Sequence, residues 1–522
     1  MENGTLARDL QTAGLELVET HISRVFRSAR DVWKIKKPVE LGFLDFSTLP
    51  LRRAACEAEV QLNRRLAPTV YLGVVPVTLD AEGRHCIGGT GEPVDWAVHM
   101  VRLPDADRGD RRLEEGRLSL AHVERLAEQI AAFHATAETG DAISRYGRPE
   151  AILVNVRENF AQTRAVIEQH LRAEEAREIE AYQLGFLERH RAWFEARVLA
   201  GRVRDGHGDL RLDQLYLDES GAATILDCIE FNERFRYADV CADVAFLAMD
   251  LAARRRVDLA EGFLAAYARA GNDYDLYPLV DFYASYRAYV RGKVATLLAA
   301  DADAGAEVRR SAAADARHYF LLALAFERRS LIRPVLVVVA GVIASGKTTA
   351  ARCVSGQLAA PVVSTDWTRK YLVGVESTTA LTEAPWTGAY ADDTTSRVYA
   401  EVLRRAEVVL ESGRPVVVDG SFRSRAERQA ARQLAERLEV PFYLVECRAT
   451  PEACRERLRE RARGPSVSDG RADIFDDFLD RWEPVEELPA AEHLVIDTSR
   501  PFATNLEIFR AKIPGWPTGL EG

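Results

Sequence analysis

Short apolar runs separated by longer amphipathic stretches characterise the last third of the chain. The runs have the length and β-branched content of buried strands, and five of them occur, at 335–340, 362–364, 415–418, 441–446 and 493–497. Stretches with the apolar spacing of helices lie between them, for example 396–411 and 424–438. A regular alternation of strand and helix is typical of a parallel sheet with helices on both faces. The pattern therefore predicts an α/β domain built on a five-stranded parallel sheet.

The pattern of the earlier part of the chain is different. Up to about residue 102 it favours strands, as in DVWKIKK and DWAVHMVRL, with one helical stretch around 50–66. Beyond about residue 115 it is mostly helical, apart from a β-like stretch near 202–231. We therefore expect a small strand-rich lobe followed by a larger helical lobe, which is an α+β arrangement.

The domain boundaries follow from these changes of pattern. The first domain is predicted to span 1–330, with its small lobe over about 1–102 and its helical lobe over about 103–330. The α/β domain is predicted to span 331–522. Between them a charged helix end precedes Pro334, which lies just before the first strand of the α/β domain.

Composition narrows the class of protein. With 522 residues, 47% hydrophobic and 29% charged, the chain is long enough for two to four globular domains and is neither disordered nor fibrous. The net charge is −11, of which −3 falls on 331–522, so bulk charge does not favour a nucleic-acid binder. Seven scattered cysteines without a Cys-x-x-Cys pair argue against a disulfide framework or a zinc site and suit a reducing compartment. The polar start and the lack of an apolar run near 18 residues predict a cytoplasmic protein without a membrane span.

The segment GVIASGKT at 341–348 is a complete GxxxxGK[ST] phosphate-binding loop, or P-loop, between a predicted strand and a predicted helix. Glycines let the backbone N–H groups wrap the phosphates of a nucleotide, the lysine contacts the β- and γ-phosphates, and the following hydroxyl binds Mg²⁺. The cofactors predicted from this loop are ATP and Mg²⁺. The candidate binding residues are Gly341, Ser345, Gly346, Lys347, Thr348 and Thr349.

An apolar strand that ends in an acid, Val416–Asp419, follows the P-loop along the chain. Such a strand is the Walker B pattern, in which the carboxylate holds Mg²⁺ through water or orients the P-loop hydroxyl. Asp419 is therefore predicted to work with Thr348.

Two further patterns of this domain resemble the kinase branch of P-loop proteins, which includes polynucleotide, gluconate and zeta-toxin-like kinases. Asp366 and Arg369 follow the second strand, and the resemblance implies that the carboxylate accepts the proton of the acceptor hydroxyl while the arginine positions the acceptor. The alternative is that Asp366 caps a helix. Arg457 and Arg461 resemble the lid arginines of small-molecule kinases; the alternative is a solvated helix whose arginines pair with neighbouring glutamates.

In the first domain, Asp209 of the segment His207-Gly208-Asp209-Leu210 lies 18 residues before Asp227. This spacing resembles the catalytic loop and metal-binding aspartate of the aminoglycoside phosphotransferase family, relatives of the protein kinases. The resemblance implies that Asp209 is the base and that Asp227 binds Mg²⁺. Gln214 stands where the family usually has an asparagine that ligates a second metal ion, so its longer side chain is a departure.

The lysine and glutamate of this kinase-like domain are less well defined. Lys34, in VWK, resembles the phosphate-contacting lysine, and Glu59 is a plausible helix partner for it. Lys36 and Glu57 are rivals, and no glycine-rich loop precedes the lysine. The alternative is that Lys34 and Glu59 are solvated surface charges.

Taken together, the motifs resemble a bacterial fusion family that joins an aminoglycoside phosphotransferase-like domain to an ATP-binding domain. The leading hypothesis is that both domains transfer phosphate from ATP to a hydroxyl of a small molecule. A polynucleotide 5′-hydroxyl kinase is the enzymatic alternative, suggested by the arrangement of Asp366 and Arg369. Aromatic residues of the domain could stack bases, namely Trp367, Tyr371, Trp386 and Tyr390. A third hypothesis, motivated by Gln214, makes the first domain a degenerate kinase that senses nucleotide and regulates the second.

Overall fold

The computed structural model describes residues 3–20, 22–42, 44–301, 304–327, 333–376, 378–381, 386–461, 463, 467–500 and 502–512. The chain forms two compact units. The first contains Met1–Arg254 and Phe282–Leu324, and the second contains Arg255–Asp281 and Ala325–Gly522. Within the described ranges, no helix combines the length and the apolar character that a membrane crossing needs.

The first unit begins with a strand-rich lobe, as the sequence pattern predicts. Its elements are α1 (Asn3–Thr12), β1 (Glu16–Glu19), β2 (Ser23–Arg27), β3 (Asp31–Lys36), α2 (Leu49–Asn63), β4 (Tyr71–Leu79), β5 (His85–Ile87) and β6 (Asp95–Val101). The strands form one antiparallel sheet in the order β1-β2-β3-β6-β4-β5. Helix α2 begins after Thr48, whose hydroxyl accepts a hydrogen bond from the backbone N–H of Leu51. It buries Cys56, Glu59 and Val60, so Glu59 faces inward.

A mostly helical region follows the sheet. Its elements are α3 (Gly109–Glu114), α4 (Leu120–Thr136), α5 (Asp141–Ser144), α6 (Pro149–Thr163), α7 (Ala173–Arg189), α8 (Arg191–Leu199), β7 (Val203–Asp205), β8 (Leu215–Leu217), β9 (Ala223–Ile225), α9 (Glu233–Arg236), β10 (Tyr237–Asp239), α10 (Val240–Ala253), α11 (Val257–Ala270), α12 (Tyr277–Ala300) and α13 (Ala306–Glu327). Of these, α11 and the start of α12 belong to the second unit. Strands β8 and β9 form an antiparallel hairpin. The hairpin lies between Asp209 and Asp227 in sequence, so it brings the two ends of the candidate catalytic segment back toward each other.

The second unit contains the predicted parallel sheet. Its further elements are β11 (Leu336–Ala340), α14 (Lys347–Leu358), β12 (Val362–Ser364), α15 (Thr365–Leu372), α16 (Asp392–Glu411), β13 (Val416–Asp419), α17 (Arg425–Arg437), β14 (Phe442–Arg448), α18 (Pro451–Arg461), α19 (Phe475–Asp480), β15 (His493–Asp497) and α20 (Phe502–Lys512). The strand order is β12-β13-β11-β14-β15, and every pair is parallel. This confirms the predicted five-stranded parallel sheet, and the central strand β11 is buried along its whole length.

One segment of the second unit comes from far upstream in the sequence. Arg255–Asp281, which lies inside the range predicted for the first domain, packs with the parallel sheet and its helices. The hydroxyl of Tyr274 donates a hydrogen bond of 2.7 Å to the backbone oxygen of Val362 on β12. The side chain of Arg414 is 4% exposed and forms ion pairs with Glu261 and Asp281 at 2.8 and 2.7 Å. The two units are therefore not two continuous halves of the chain.

Replacing Arg414 with methionine is expected to lower the free energy of unfolding of the second unit by about 3 kcal/mol, because it would leave two largely buried carboxylates without their cation. Urea unfolding of the full chain measures the change. Arg404→Met is the matched control: Arg404 also joins the upstream segment, through Asp275, but both side chains are about half exposed. An exposed pair is worth less than about 1 kcal/mol, so equal losses in the two variants would contradict a stabilising role for the buried cluster.

Candidate active sites

The P-loop lies between β11 and α14 and has the backbone conformation that its sequence requires. Gly341 and Gly346 have φ values of 146° and 90°, in the left-handed region that favours glycine. A Cβ atom at Gly341 would lie 2.6 Å from the backbone oxygen of Cys447, so no larger residue fits there. Nζ of Lys347 donates a hydrogen bond of 2.8 Å to the backbone oxygen of Val342. The loop thus presents its lysine and the N-terminus of α14 to the same space, which suits a chain of phosphates.

The structure brings the candidate Mg²⁺ ligands of this unit together. The hydroxyl of Thr348 donates a hydrogen bond of 3.0 Å to Oδ2 of Asp419. Burial raises the pKa of the Asp419 carboxyl to about 6, Lys347 acts against this rise, and Asp366 adds to it. A hydroxyl and a carboxylate beside a phosphate-binding loop fit Mg²⁺, which takes few protein ligands and completes its shell with nucleotide phosphates and water.

Asp366 and Arg369 lie on α15, which follows β12, and both line the cavity that Lys347 and Asp419 also line. This cavity, called here the P-loop cavity, has a volume of about 160 Å³. Asp366 is the second residue of α15, and the position before the helix is occupied by Ser364, so the helix-cap alternative for Asp366 is not what the structure shows. The guanidinium of Arg369 is buried, donates a hydrogen bond of 2.5 Å to the backbone oxygen of Ala389, and lies 4.5 Å from the ring centre of Tyr390.

Helix α15 is anchored by a buried arginine that sequence reasoning missed. Arg405 on α16 donates hydrogen bonds to Thr368 Oγ1 at 3.3 Å and to Asn272 Oδ1 at 2.9 Å. Thr368 lies between the two candidate acceptor residues of α15, and Asn272 belongs to the upstream segment of the unit. The upstream segment therefore helps to fix the helix that carries Asp366 and Arg369.

The two arginines of α18 have different surroundings. Arg461 lines the P-loop cavity. Arg457 instead donates hydrogen bonds of 3.2 Å to the backbone oxygen of Ala344, within the P-loop, and of 2.9 Å to that of Thr498. Arg457 thus supports the loop from outside the cavity. Arg455, which the solvated-helix alternative pairs with a glutamate of its own helix, pairs with Asp476 on α19 at 2.6 Å.

In the first unit, Glu59 contacts both candidate lysines. Lys34 and Lys36 are two residues apart on β3 and therefore point to the same face of the sheet. Nζ of Lys34 lies 2.9 Å from Glu59 and 2.5 Å from Asp227, and Nζ of Lys36 lies 2.7 Å from Glu59. Burial by itself would lower the pKa of Lys34, but the carboxylates of Asp227 and Glu59 raise it well above its usual value. Lys34 is therefore a cation beside the candidate metal ligand, and neither it nor Glu59 is a surface charge.

The catalytic-loop residues of this unit make a tight polar network. The guanidinium of Arg211 binds both carboxylate oxygens of Asp209, each at 3.0 Å. Burial would raise the pKa of Asp209, but Arg211 lowers it, so this carboxyl is ionised. Nε2 of Gln214 donates a hydrogen bond of 3.4 Å to Oδ2 of Asp227. The loop backbone is held by Asp243, which accepts hydrogen bonds from the N–H groups of His207 and Gly208 at 2.7 and 2.8 Å.

A cavity of about 130 Å³ opens beside this network and was not predicted from the sequence. Its apolar walls come from strands β2, β3 and β6 and from Leu226, which directly precedes Asp227. A cavity with these apolar walls, lined by Val32 two residues before Lys34 and by Leu226 just before Asp227, fits the base of a nucleotide whose phosphates reach Lys34 and Asp227. The only sequence signal was the alternation of apolar residues in β2 and β3, which is common to half-buried strands in general.

Comparison with known proteins gives two family matches. A family described as "Phosphotransferase enzyme family" matches residues 43–283, and a family described as "AAA domain" matches residues 336–485. An uncharacterized protein of Mycobacterium tuberculosis strain H37Rv is 34% identical over 460 residues, covering 88% of each chain. An uncharacterized protein of Mycobacterium bovis matches to the same extent. The chain belongs to the family of these mycobacterial proteins. It is a kinase that joins a phosphotransferase domain to a P-loop domain, which confirms the predicted combination.

Solved structures resemble each part separately. A gluconokinase from Sinorhizobium meliloti is 22% identical and covers 35% of this chain and 93% of its own, with a TM-score of 0.26. A choline/ethanolamine kinase family protein from Mesorhizobium loti is 13% identical and covers 62% of this chain and 97% of its own, with a TM-score of 0.34.

Proposed function

We propose that this family member transfers the γ-phosphate of ATP to a hydroxyl of a small molecule, with the P-loop cavity as the principal site. The observation that carries the proposal is the convergence of Lys347, Thr348, Asp419, Asp366 and Arg369 on one cavity. This set contains a phosphate-binding cation, a pair of groups suited to Mg²⁺, and a carboxylate and an arginine that line the same cavity.

The transfer step follows from these positions. The acceptor hydroxyl attacks the γ-phosphorus, an O–P bond forms, the bond to the β-phosphate oxygen breaks, and ADP leaves. Asp366 takes the hydroxyl proton, because the other acids that line the cavity already accept hydrogen bonds from the protein: Asp419 from Thr348, Asp469 from Tyr390 and Glu427 from Ser424. Lys347 and Arg461 neutralise charge on the phosphates, and Thr348 and Asp419 would hold Mg²⁺. When bound, Mg²⁺ supplies further neutralisation of the β- and γ-phosphate oxygens.

The kinase-like site of the first unit supports the same chemistry in a second place. Lys34 and Asp227 would receive the phosphates and Mg²⁺, Asp209 would take the proton, and the apolar slot would hold the base. One contact favours the regulatory alternative, since Arg211 binds both carboxylate oxygens of Asp209. A domain that binds nucleotide without transferring phosphate would be compatible with this contact and with Gln214 in place of the usual asparagine.

Two further parts of the proposal concern an alternative acceptor and the compartment. A short nucleic acid stays an alternative acceptor, since Trp386 and Tyr390 line the P-loop cavity. Trp367 and Tyr371, the other aromatic candidates, are not among its lining residues. A reducing compartment such as the cytoplasm is supported by the seven cysteines, all of which are free.

The test is acceptor-dependent formation of ADP and of a labelled product by the full chain, with radiolabelled ATP against sugars, nucleosides, aminoglycosides and 5′-hydroxyl oligonucleotides. The full chain is needed because a cut at 330/331 would remove Arg255–Asp281 from the P-loop unit. We expect at least one small-molecule class to accelerate ADP formation by tenfold or more and to acquire the label. Hydrolysis of ATP at one rate, whatever compound is added, would count against a phosphotransferase with a small-molecule acceptor.

A further inference from the structure

One wall of the P-loop cavity is formed by an aromatic and arginine cluster that the transfer step does not use. The cluster consists of Trp386, Phe478 and Arg423, and we call it the Trp386 corner. The Trp386 and Phe478 rings are stacked, with centroids 5.9 Å apart and planes at 28°. The guanidinium of Arg423 lies 4.2 Å from the centre of the Trp386 ring. All three residues line the cavity that contains Asp366.

Several N–H groups of this wall are buried without a hydrogen-bond acceptor. They are Nη1 of Arg423, Nε1 of Trp386 and Nε of Arg369. Within the described ranges, no carboxylate forms an ion pair with Arg423 or Arg369. Other buried arginines of the same unit do have carboxylate partners within 3 Å: Arg405 pairs with Glu401, Arg414 with Glu261, and Arg428 with Glu487.

The acids near the corner are already engaged. Asp469 accepts hydrogen bonds from the hydroxyl of Tyr390 at 2.7 Å and from the backbone N–H of Leu381 at 3.0 Å, and Lys370 lies 3.3 Å from it. Glu427 accepts a hydrogen bond from the backbone N–H of Ser424 at the start of α17. The cavity wall therefore presents guanidinium and indole N–H groups for which the described residues provide no hydrogen-bond acceptor.

A buried guanidinium N–H group without an acceptor is costly, and the planar fork of guanidinium donors matches a carboxylate or a phosphate group. We propose that the acceptor of the P-loop site is a hydroxyl compound with an anionic carboxylate or phosphate group, which Arg423 binds beside the Trp386 ring. The hydroxyl of the same molecule faces Asp366, and Arg369 lines the same cavity. This inference rests on the proposed function and specifies the class of acceptor for the same site.

The experiment compares related hydroxyl compounds with and without an anionic group. The full chain carrying Asp227→Asn, which disables the kinase-like site, is assayed with glycerol, glycerate and glycerol phosphate, and with glucose, gluconate and glucose phosphate. Transfer of label is measured together with binding of each compound by calorimetry in the presence of a non-hydrolysable ATP analogue and Mg²⁺. We expect charged members to bind at least tenfold more tightly than their neutral counterpart, and the comparison of carboxylate with phosphate distinguishes the two anions.

Two variants then assign the effect to Arg423. Arg423→Gln is expected to remove the preference for the charged member by raising its KM tenfold or more, with KM for ATP unchanged. Arg481→Gln is the matched control, since Arg481 also stacks on Trp386, at 4.0 Å, but does not line the cavity. It should leave the preference intact.

The outcomes separate this inference from the proposed function. Transfer to neutral members at least as good as to charged ones would overturn the anionic acceptor and leave the phosphotransferase standing. A preference that survives Arg423→Gln, or is lost equally in Arg481→Gln, would overturn the role of Arg423. Absence of binding by every member would overturn the anionic acceptor, and ATP hydrolysis that no compound of the broader panel accelerates would overturn the proposed function itself.

Discussion

Replacing Lys347 with alanine is expected to lower phosphotransfer at the P-loop cavity by about 10²–10³-fold, the loss that follows removal of one preorganised group that stabilises developing charge. Nζ of Lys347 is held over the loop by the backbone oxygen of Val342 at 2.8 Å. It therefore needs little rearrangement to reach the β- and γ-phosphates. The carboxylates nearest to it, Asp419 and Asp366, would be left facing the phosphates without this cation.

Radiolabelled transfer by the full chain measures this loss, in a background carrying Asp227→Asn so that only the P-loop site contributes. Lys512→Ala is the matched control, since Lys512 lies at the exposed end of α20 in the same unit. It should change neither rate nor ATP binding. An unchanged rate of phosphotransfer by the Lys347→Ala protein would contradict the claim that the P-loop binds the transferred phosphate.

Features that depend on local sequence could be predicted without a structure. The parallel sheet followed from short apolar runs, because strands buried on both faces must be apolar along their length, as β11 is. The P-loop followed from its glycines, since the φ values of Gly341 and Gly346 suit few other residues. The contact of Thr348 with Asp419 was also foreseeable, because β13 pairs in parallel with β11 and their carboxyl ends meet at one edge.

Features that depend on distant parts of the chain could not be predicted. Nothing in the sequence around Tyr274 indicates that its hydroxyl reaches β12, since the partner lies 88 residues away. Arg457 and Arg461 lie one helical turn apart on a helix whose sequence is mostly polar, so the pattern does not distinguish them. In the structure Arg457 donates a hydrogen bond to the P-loop backbone, whereas Arg461 lines the cavity. Which of two equivalent charges enters a site is decided by packing, which a one-dimensional pattern does not contain.

The rivalry between Lys34 and Lys36 illustrates the same limit. Strand periodicity places both side chains on one face, so the sequence could not rank them. In the structure both meet Glu59, but only Lys34 also contacts Asp227, whereas Lys36 pairs with Glu230 and is fully buried. This division favours Lys34 as the phosphate contact and Lys36 as an internal counter-charge. Glu57, the rival of Glu59, is exposed and pairs with Arg53.

The kinase-like site gives the second large prediction. In a full chain carrying Lys347→Ala, which isolates this site, Asp209→Asn is expected to lower phosphotransfer by about 10²–10⁴-fold, the usual contribution of a general base. Asparagine keeps the size of the side chain and can still accept a hydrogen bond from Arg211, but it cannot take a proton. Binding of ADP should be unchanged, because Lys34 and Asp227 are untouched and the apolar slot is formed by other residues.

Transfer is measured with labelled ATP and binding by calorimetry with ADP and Mg²⁺, using Asp218→Asn as the matched control. Asp218 lies in the exposed turn between β8 and β9, where it caps Ser220, so the same chemical change there should affect neither quantity. Unchanged transfer after Asp209→Asn would remove Asp209 as the base. The Lys347→Ala protein could also bind ADP but transfer no phosphate even with Asp209 intact. We would then infer that the hydrogen bonds from Arg211 to both oxygens of Asp209 prevent it from acting as a base. The first unit would then act as a nucleotide sensor, and the contacts of Gln214 and Lys34 with Asp227 would be what nucleotide binding has to break.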